Sequence, residues 1–127
     1  MSMWRRGGNS VVAGVLALLL AGMTTGCDSE DYLDHQPPAG SGSLIVDNHT
    51  ADDLSIFVDG NYTARVSDSS DRILDMDPGL YRVVLTGEDD SDRSYRTEVD
   101  ILEGQLTILE VWTSADPHGY DVTVRFE

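Results

Sequence analysis

A β-hairpin is encoded in residues 54–66, Leu54-Ser55-Ile56-Phe57-Val58-Asp59-Gly60-Asn61-Tyr62-Thr63-Ala64-Arg65-Val66. Apolar residues recur at every second position on both sides of Asp59-Gly60, as in strands that bury one face. An Asp-Gly pair between two such runs is a strong hairpin signal, because the favoured two-residue turns need positive φ angles. The first folded unit predicted from the sequence is therefore a pair of antiparallel strands.

The same alternation continues on both sides of this hairpin. Asp77-Pro78-Gly79 and Glu103-Gly104 are typical of turns between strands. No window of 11 or more residues after Cys27 has a helical period. We therefore predict an all-β protein, a small antiparallel β-sandwich of about seven strands over residues 43–127. The further runs that carry the pattern are Leu44-Ile45-Val46, Arg72–Met76, Tyr81–Leu85, Tyr95–Ile101, Leu106–Trp112 and Tyr120–Phe126.

The first 26 residues have the three parts of an export signal: Arg5-Arg6, an apolar run over 11–21, and small residues up to Gly26. As a helix, the apolar run would span about 16 Å, too short for a hydrocarbon core of about 30 Å. A cleaved signal is therefore favoured over a retained membrane-spanning anchor.

Thr24-Thr25-Gly26-Cys27 resembles the lipobox of bacterial lipoprotein signal peptides. The resemblance implies cleavage after Gly26 and a lipid on Cys27, which would become the first residue of the mature chain. Two or more acyl chains anchor a protein stably, so the domain would be held at a cell membrane or outer membrane, on its extracytoplasmic side. Residues 27–42, acidic and then rich in Pro and Gly, are predicted to form a disordered linker after the lipidated cysteine.

A second resemblance covers residues 43–112. Ile56-Phe57-Val58-Asp59-Gly60 and Leu74–Val83, which contains Pro78-Gly79-Leu80-Tyr81, resemble the conserved motifs of PEGA-type domains. That family belongs with the transthyretin-like and carboxypeptidase-regulatory-like sandwiches. The resemblance implies a non-catalytic accessory module of bacterial envelope proteins that contacts proteins or glycans.

The chain is strongly acidic, with 23 Asp and Glu residues, eight Lys and Arg residues and a net charge of −15. Loss of Arg5 and Arg6 with the signal would leave six basic residues and a net charge of −17. Such a surface repels phosphate backbones and disfavours nucleic-acid binding. A solvated exterior that keeps the protein soluble and monomeric is the simpler interpretation, and a cation-binding surface is the alternative. The only cysteine, Cys27, excludes an internal disulfide.

Two kinds of binding residue are candidates. The acidic run Glu88-Asp89-Asp90-Ser91-Asp92 offers carboxylate oxygens for Ca²⁺, but it lacks the EF-hand spacing, and a solvated loop between strands is the favoured interpretation. Trp112 could contribute an aromatic surface for a carbohydrate or protein partner. The other aromatic residues considered for that surface are Tyr62, Tyr81, Tyr95 and Tyr120, whose alternation favours core positions.

No catalytic residue, cofactor or metal site is predicted. The sequence lacks the motifs of serine hydrolases, zinc proteases and phosphate-binding loops, and Ser114, Asp116 and His118 are close only in sequence. The three histidines lie far apart along the chain, without metal-ligand spacing. We therefore expect a lipid-anchored, non-catalytic envelope module that binds an unknown protein or glycan, with a calcium- or carbohydrate-binding module as the alternative.

Overall fold

A computed structural model describes residues 31–89 and 92–127, of which Tyr32–Glu127 form one compact unit. A single turn of 3₁₀ helix, Asp31–Asp34, precedes the strands. The strands in the described residues are β1 (Gly42–Asn48), β2 (Leu54–Val58), β3 (Asn61–Val66), β4 (Ser70–Met76), β5 (Gly79–Gly87), β6 (Ser94–Ile101), β7 (Leu106–Thr113) and β8 (Tyr120–Phe126).

These eight strands form two four-stranded sheets, which confirms the predicted small β-sandwich. Sheet I has the order β4-β1-β7-β8, and sheet II has the order β3-β2-β5-β6. The β1–β7 pair is parallel, whereas a fully antiparallel arrangement was predicted. Parallel pairing is possible here because these strands are far apart in the chain, so no short hairpin turn imposes their relative direction.

The predicted hairpin is β2–β3, and its turn has the expected backbone. Asp59 and Gly60 have φ angles of 51° and 85°, both in the left-handed region that a two-residue turn of this kind requires. The Asp59 carboxylate also accepts a hydrogen bond of 2.9 Å from the backbone N–H of Arg82 on β5. The turn is thereby tied to the neighbouring strand of sheet II.

The main core lies between the sheets. Alternate side chains of each strand point into it, and the largest of them are completely buried. Tyr81, Tyr95 and Val122 pack at its margin. The buried members from sheet I are Leu44, Val46, Leu109, Val111 and Tyr120, and those from sheet II are Leu54, Ile56, Val58, Ala64, Val66, Val83, Leu85, Val99 and Ile101.

A second, smaller core covers the outer face of sheet I. Ile45 of β1 and Ile108 of β7 are completely buried there, beneath Tyr32 of the 3₁₀ turn. Ile73 and Leu106 complete the cluster. The two central strands of sheet I are therefore buried on both faces.

The second core includes part of the segment over residues 27–42 that was predicted to be a disordered linker. Tyr32 is only 3% exposed, so the described part of that segment is a cover that packs on the sandwich. Backbone hydrogen bonds join Pro38 to Ser41 and Ser41 to Gly104. The apolar side of sheet I contributes to this order, because burial of the Tyr32 ring and the hydrogen bonds of the segment together oppose the entropy lost in fixing it.

The predicted signal sequence (residues 1–26) and Cys27 lie outside the described residues. Within residues 31–89 and 92–127, no helix has the length and apolar character needed to cross a bilayer.

Replacing Tyr32 tests the importance of the cover. Tyr32→Ala should lower the free energy of unfolding by about 3–5 kcal/mol, because it removes a large buried ring and leaves a cavity over Ile45 and Ile108. Tyr62→Ala is the matched control: Tyr62 is 59% exposed and has an edge contact with Phe57, so its loss should cost at most about 1.5 kcal/mol. Urea unfolding of both variants gives the comparison. Equal, small losses would show that the segment does not contribute to stability.

Candidate functional site

The outer face of sheet I carries a row of polar side chains next to the small apolar core. In the strand register, Asp47 of β1 is paired with Asp71 of β4 on one side and with Glu110 of β7 on the other. Three acidic residues thus occupy adjacent positions on three neighbouring strands. Like charges at directly opposed positions destabilise a sheet unless other groups compensate them.

Asp47 is the most buried member of this row, with 5% of its surface exposed. The Tyr32 hydroxyl donates a 2.7 Å hydrogen bond to Asp47 Oδ2. Burial, together with this bond to a carboxylate, raises the pKa of the Tyr32 phenol well above its ordinary value, so the hydroxyl stays a donor at neutral pH. The side chain that covers the small core therefore also orients Asp47.

His49 lies beside Asp47, with its Nε2 atom 3.0 Å from Asp47 Oδ2. The distance suits an ion pair, yet Nε2 is a buried atom with no aligned hydrogen bond to any group in the described residues. A hydrogen bond weakens steeply when the donor does not point at its acceptor. Nε2 is thus close to a carboxylate without being satisfied by it.

Trp112 holds the imidazole in place. Its ring is stacked on that of His49, with 4.0 Å between centroids and 4° between the planes. The backbone N–H of His49 donates to Val111 O at 2.8 Å, which continues the β1–β7 pairing by one residue. Trp112 is 46% exposed, so the stacked pair lies at the solvent boundary of the site.

Arg125 of β8 supplies positive charge at the other end of the row. Its guanidinium lies 3.4 Å from Glu110 Oε2 and 3.2 Å from Glu127 Oε2. It also donates to the Tyr32 hydroxyl at 3.3 Å. Arg125 therefore balances part of the negative charge of the row.

Asp47, His49 and Glu110 bring one nitrogen and two carboxylate oxygens within 4.8 Å of one another. Such a set can hold a divalent metal ion. The sequence does not predict this cluster, because Glu110 joins the other two residues only through the parallel β1–β7 pair. The sequence signal is the two-residue spacing of Asp47 and His49, which favours one face where the extended backbone continues past Asn48.

In the predicted calcium loop, the contacts of the Glu88 carboxylate are with sheet II. Glu88 Oε1 pairs with Arg65 Nε at 2.9 Å, and Glu88 Oε2 accepts a hydrogen bond of 3.1 Å from Ser55. Asp89 and Asp92 are exposed, and Asp90 lies outside the described residues. Both carboxylate oxygens of Glu88 therefore contact side chains of sheet II.

The triplet Ser114, Asp116 and His118 forms a turn. The Asp116 N–H donates to Ser114 Oγ at 3.0 Å, and the His118 N–H donates to Asp116 Oδ1 at 2.9 Å. These side chains cap backbone groups, as short polar residues commonly do in loops. The arrangement does not bring a hydroxyl nucleophile against the imidazole.

A second histidine–carboxylate pair, His35 and Asp75, ties the covering segment to β4 at 2.8 Å. Asp75 Oδ1 also accepts a 2.6 Å hydrogen bond from Ser43. The Ser43 hydroxyl and, after it, His35 hold the pKa of Asp75 below its ordinary value near 3.8.

This depressed pKa predicts how stability depends on pH. A carboxylate whose pKa is lower in the folded state stabilises the fold above its unfolded pKa, and that stability is lost as the pH falls through the folded pKa. Asp75→Asn should therefore be less stable than the parent at pH 7, with the difference shrinking below about pH 4. Urea midpoints measured from pH 7 to pH 2 test this, with exposed Asp121→Asn as control. Parallel pH curves for Asp75→Asn and the parent would contradict it.

Comparison of the sequence with protein-family models and with curated proteins finds no match. The resemblance to PEGA-type lipoproteins stays a prediction, and the site is interpreted from its geometry.

Proposed function

We propose that this chain is a lipid-anchored cell-envelope protein whose β-sandwich is a non-catalytic module that acts by binding. The observation that carries the proposal is the short distance along the chain between Cys27 and Tyr32, the first buried side chain of the described residues. Five residue steps span at most about 18 Å. A lipid on Cys27 would therefore hold the sandwich next to the membrane surface.

The acidic exterior fits this position. A domain with a large net negative charge is repelled by anionic headgroups, so a covalent lipid, rather than surface charge, would retain it at the membrane. The same charge keeps neighbouring copies apart and favours a displayed monomer.

The edge strand β8 is the binding surface we assign. In the described residues β8 pairs only with β7, so its other side offers backbone donors and acceptors to a partner strand. Val124 and Phe126, on the core-facing side of this strand, are 40% and 50% exposed. An added strand could cover both side chains, which makes an extended segment of an envelope protein the fitting partner.

A carbohydrate partner is the alternative, and the exposed ring of Trp112 favours it. The calcium version of the alternative has less support, because Arg65 and Ser55 already engage both oxygens of Glu88.

Lipid anchoring predicts a specific effect of Cys27→Ser. The parent chain, expressed in a bacterial host, should partition into the detergent phase and give a mature N-terminus at residue 27 with the mass of attached acyl chains. Cys27→Ser should shift to the aqueous phase or remain unprocessed, since no other thiol is available. Ser29→Ala serves as the matched control. A Cys27→Ser protein that is processed and retained like the parent would refute the anchoring proposal.

Edge binding predicts where a partner touches the sandwich. A photo-crosslinking residue at Phe126 should trap one discrete envelope protein in cells, whereas the same residue at Tyr62, on the edge strand β3 of sheet II, should not. Val124→Pro removes a backbone donor from the free side of β8, because the hydrogen-bonded pair Leu106–Glu127 fixes which N–H groups face β7, and that of Val124 faces away. This variant should abolish the crosslink at Phe126 in protein that remains folded by circular dichroism. Crosslinks of equal strength at both positions, or none at Phe126, would refute the assignment of β8.

A further inference from the structure

We propose that Asp47, His49 and Glu110 form a binding site for a divalent transition-metal ion of the zinc class on the outer face of sheet I. The proposal is independent of lipid anchoring and of the β8 edge, since it concerns only side chains of the described sandwich.

The donors converge before any ion is bound. Asp47 and Glu110 are register partners on the parallel pair β1–β7. His49 comes two residues after Asp47, which is the spacing of side chains on the same face of an extended chain. All three donor atoms lie within 4.8 Å of one another. Tetrahedral ligands at about 2.0–2.1 Å from Zn²⁺ are about 3.3 Å apart, so small side-chain rotations would close the site.

His49 provides the independent indication of a ligand. Its Nε2 atom is buried, faces the carboxylates and makes no aligned hydrogen bond within residues 31–89 and 92–127. Asp47 Oδ2, 3.0 Å away, lies off the hydrogen-bond direction, and coordination to a metal would give the nitrogen a directed bond. Stacking on Trp112 fixes the ring, so little further entropy is lost when the ion binds.

Outer groups already orient the ligands. The Tyr32 hydroxyl donates a hydrogen bond to Asp47 Oδ2. Carboxylates that bind metal ions in proteins are commonly held by such a second hydrogen-bond partner. Arg125 contacts Glu110 at 3.4 Å and supplies positive charge in the absence of an ion. Glu127 gives this guanidinium a second carboxylate, so it keeps an anionic partner when Glu110 turns to a metal.

The donor set selects the kind of ion. One imidazole nitrogen with two carboxylate oxygens suits Zn²⁺ or Co²⁺, whereas Ca²⁺ takes six to eight oxygens and Mg²⁺ prefers oxygen ligands with several waters. Three protein ligands leave a fourth position, which water can fill from the solvent-exposed side where Trp112 lies. The net charge of −15 would raise the local concentration of any cation.

Zinc titration of the full chain in detergent tests the site. Cys27→Ser is included as background, so that the only thiol cannot compete for the metal. Competition with a chromogenic chelator should give one Zn²⁺ per chain, and Co²⁺ should give the intense visible absorption of a tetrahedral or five-coordinate ion. His49→Gln and Glu110→Gln should each weaken binding at least about 100-fold, since the loss of even an outer-shell partner costs about 10–100-fold.

His35→Gln is the matched control, because His35 also faces a carboxylate, Asp75, but belongs to no three-ligand cluster in the described residues. Its zinc affinity should equal that of the background chain. Circular dichroism without metal establishes that each variant is folded; Glu110→Gln, at a partly exposed position, serves if His49→Gln does not fold. The proposal is overturned if the background chain binds no zinc, if both ligand variants bind as tightly as it does, or if His35→Gln weakens binding as much as they do.

Discussion

The central strand β1 is buried on both faces, and the rest of the molecule depends on this constraint. All seven residues from Gly42 to Asn48 are buried. Leu44 and Val46 pack against sheet II, while Ile45 needs a separate cover on the opposite face. A two-layer sandwich supplies only the first of these surfaces. The segment before β1 supplies the second by placing Tyr32 over Ile45, and it could not do so if it were a free linker.

Strand positions could be read from the sequence because alternation reports directly which side chains share a buried face. Asp59-Gly60 fixed the first turn, and its positive φ angles are those that this residue pair favours. The cover was not predictable in the same way, since a lone Tyr32 in an acidic stretch has no periodicity. A signal for it did exist in β1, where Leu44-Ile45-Val46 is continuously apolar: such a run is typical of strands with two buried faces. The parallel partner β7 contains the similar run Ile108-Leu109.

The candidate metal cluster is harder to predict from the sequence than the cover, because it requires the pairing of β1 with β7, whose residues are about 60 positions apart in the chain. The two-residue spacing of Asp47 and His49, which lies just after β1, favours one face, but only the β1–β7 register adds Glu110. In the acidic loop that the sequence did highlight, Glu88 is an ion-pair partner of Arg65. Local density of carboxylates is visible in the sequence, whereas their convergence with a histidine across strands is visible only in the fold.

The Tyr32 side chain contributes both to the small core and to the polar row on the outer face of sheet I. Its ring closes the small core on sheet I, and its hydroxyl orients Asp47 in the polar row beside that core. Within the described residues, which begin at residue 31, it is also the first buried side chain, and the 3₁₀ turn Asp31–Asp34 carries it. Any displacement of that turn would expose Ile45 and remove a hydrogen bond from Asp47 together, because both depend on the position of a single phenol. The small core and the polar row on the outer face of sheet I are for this reason coupled, whereas the β8 edge, which presents Val124 and Phe126, does not depend on the phenol for its exposure.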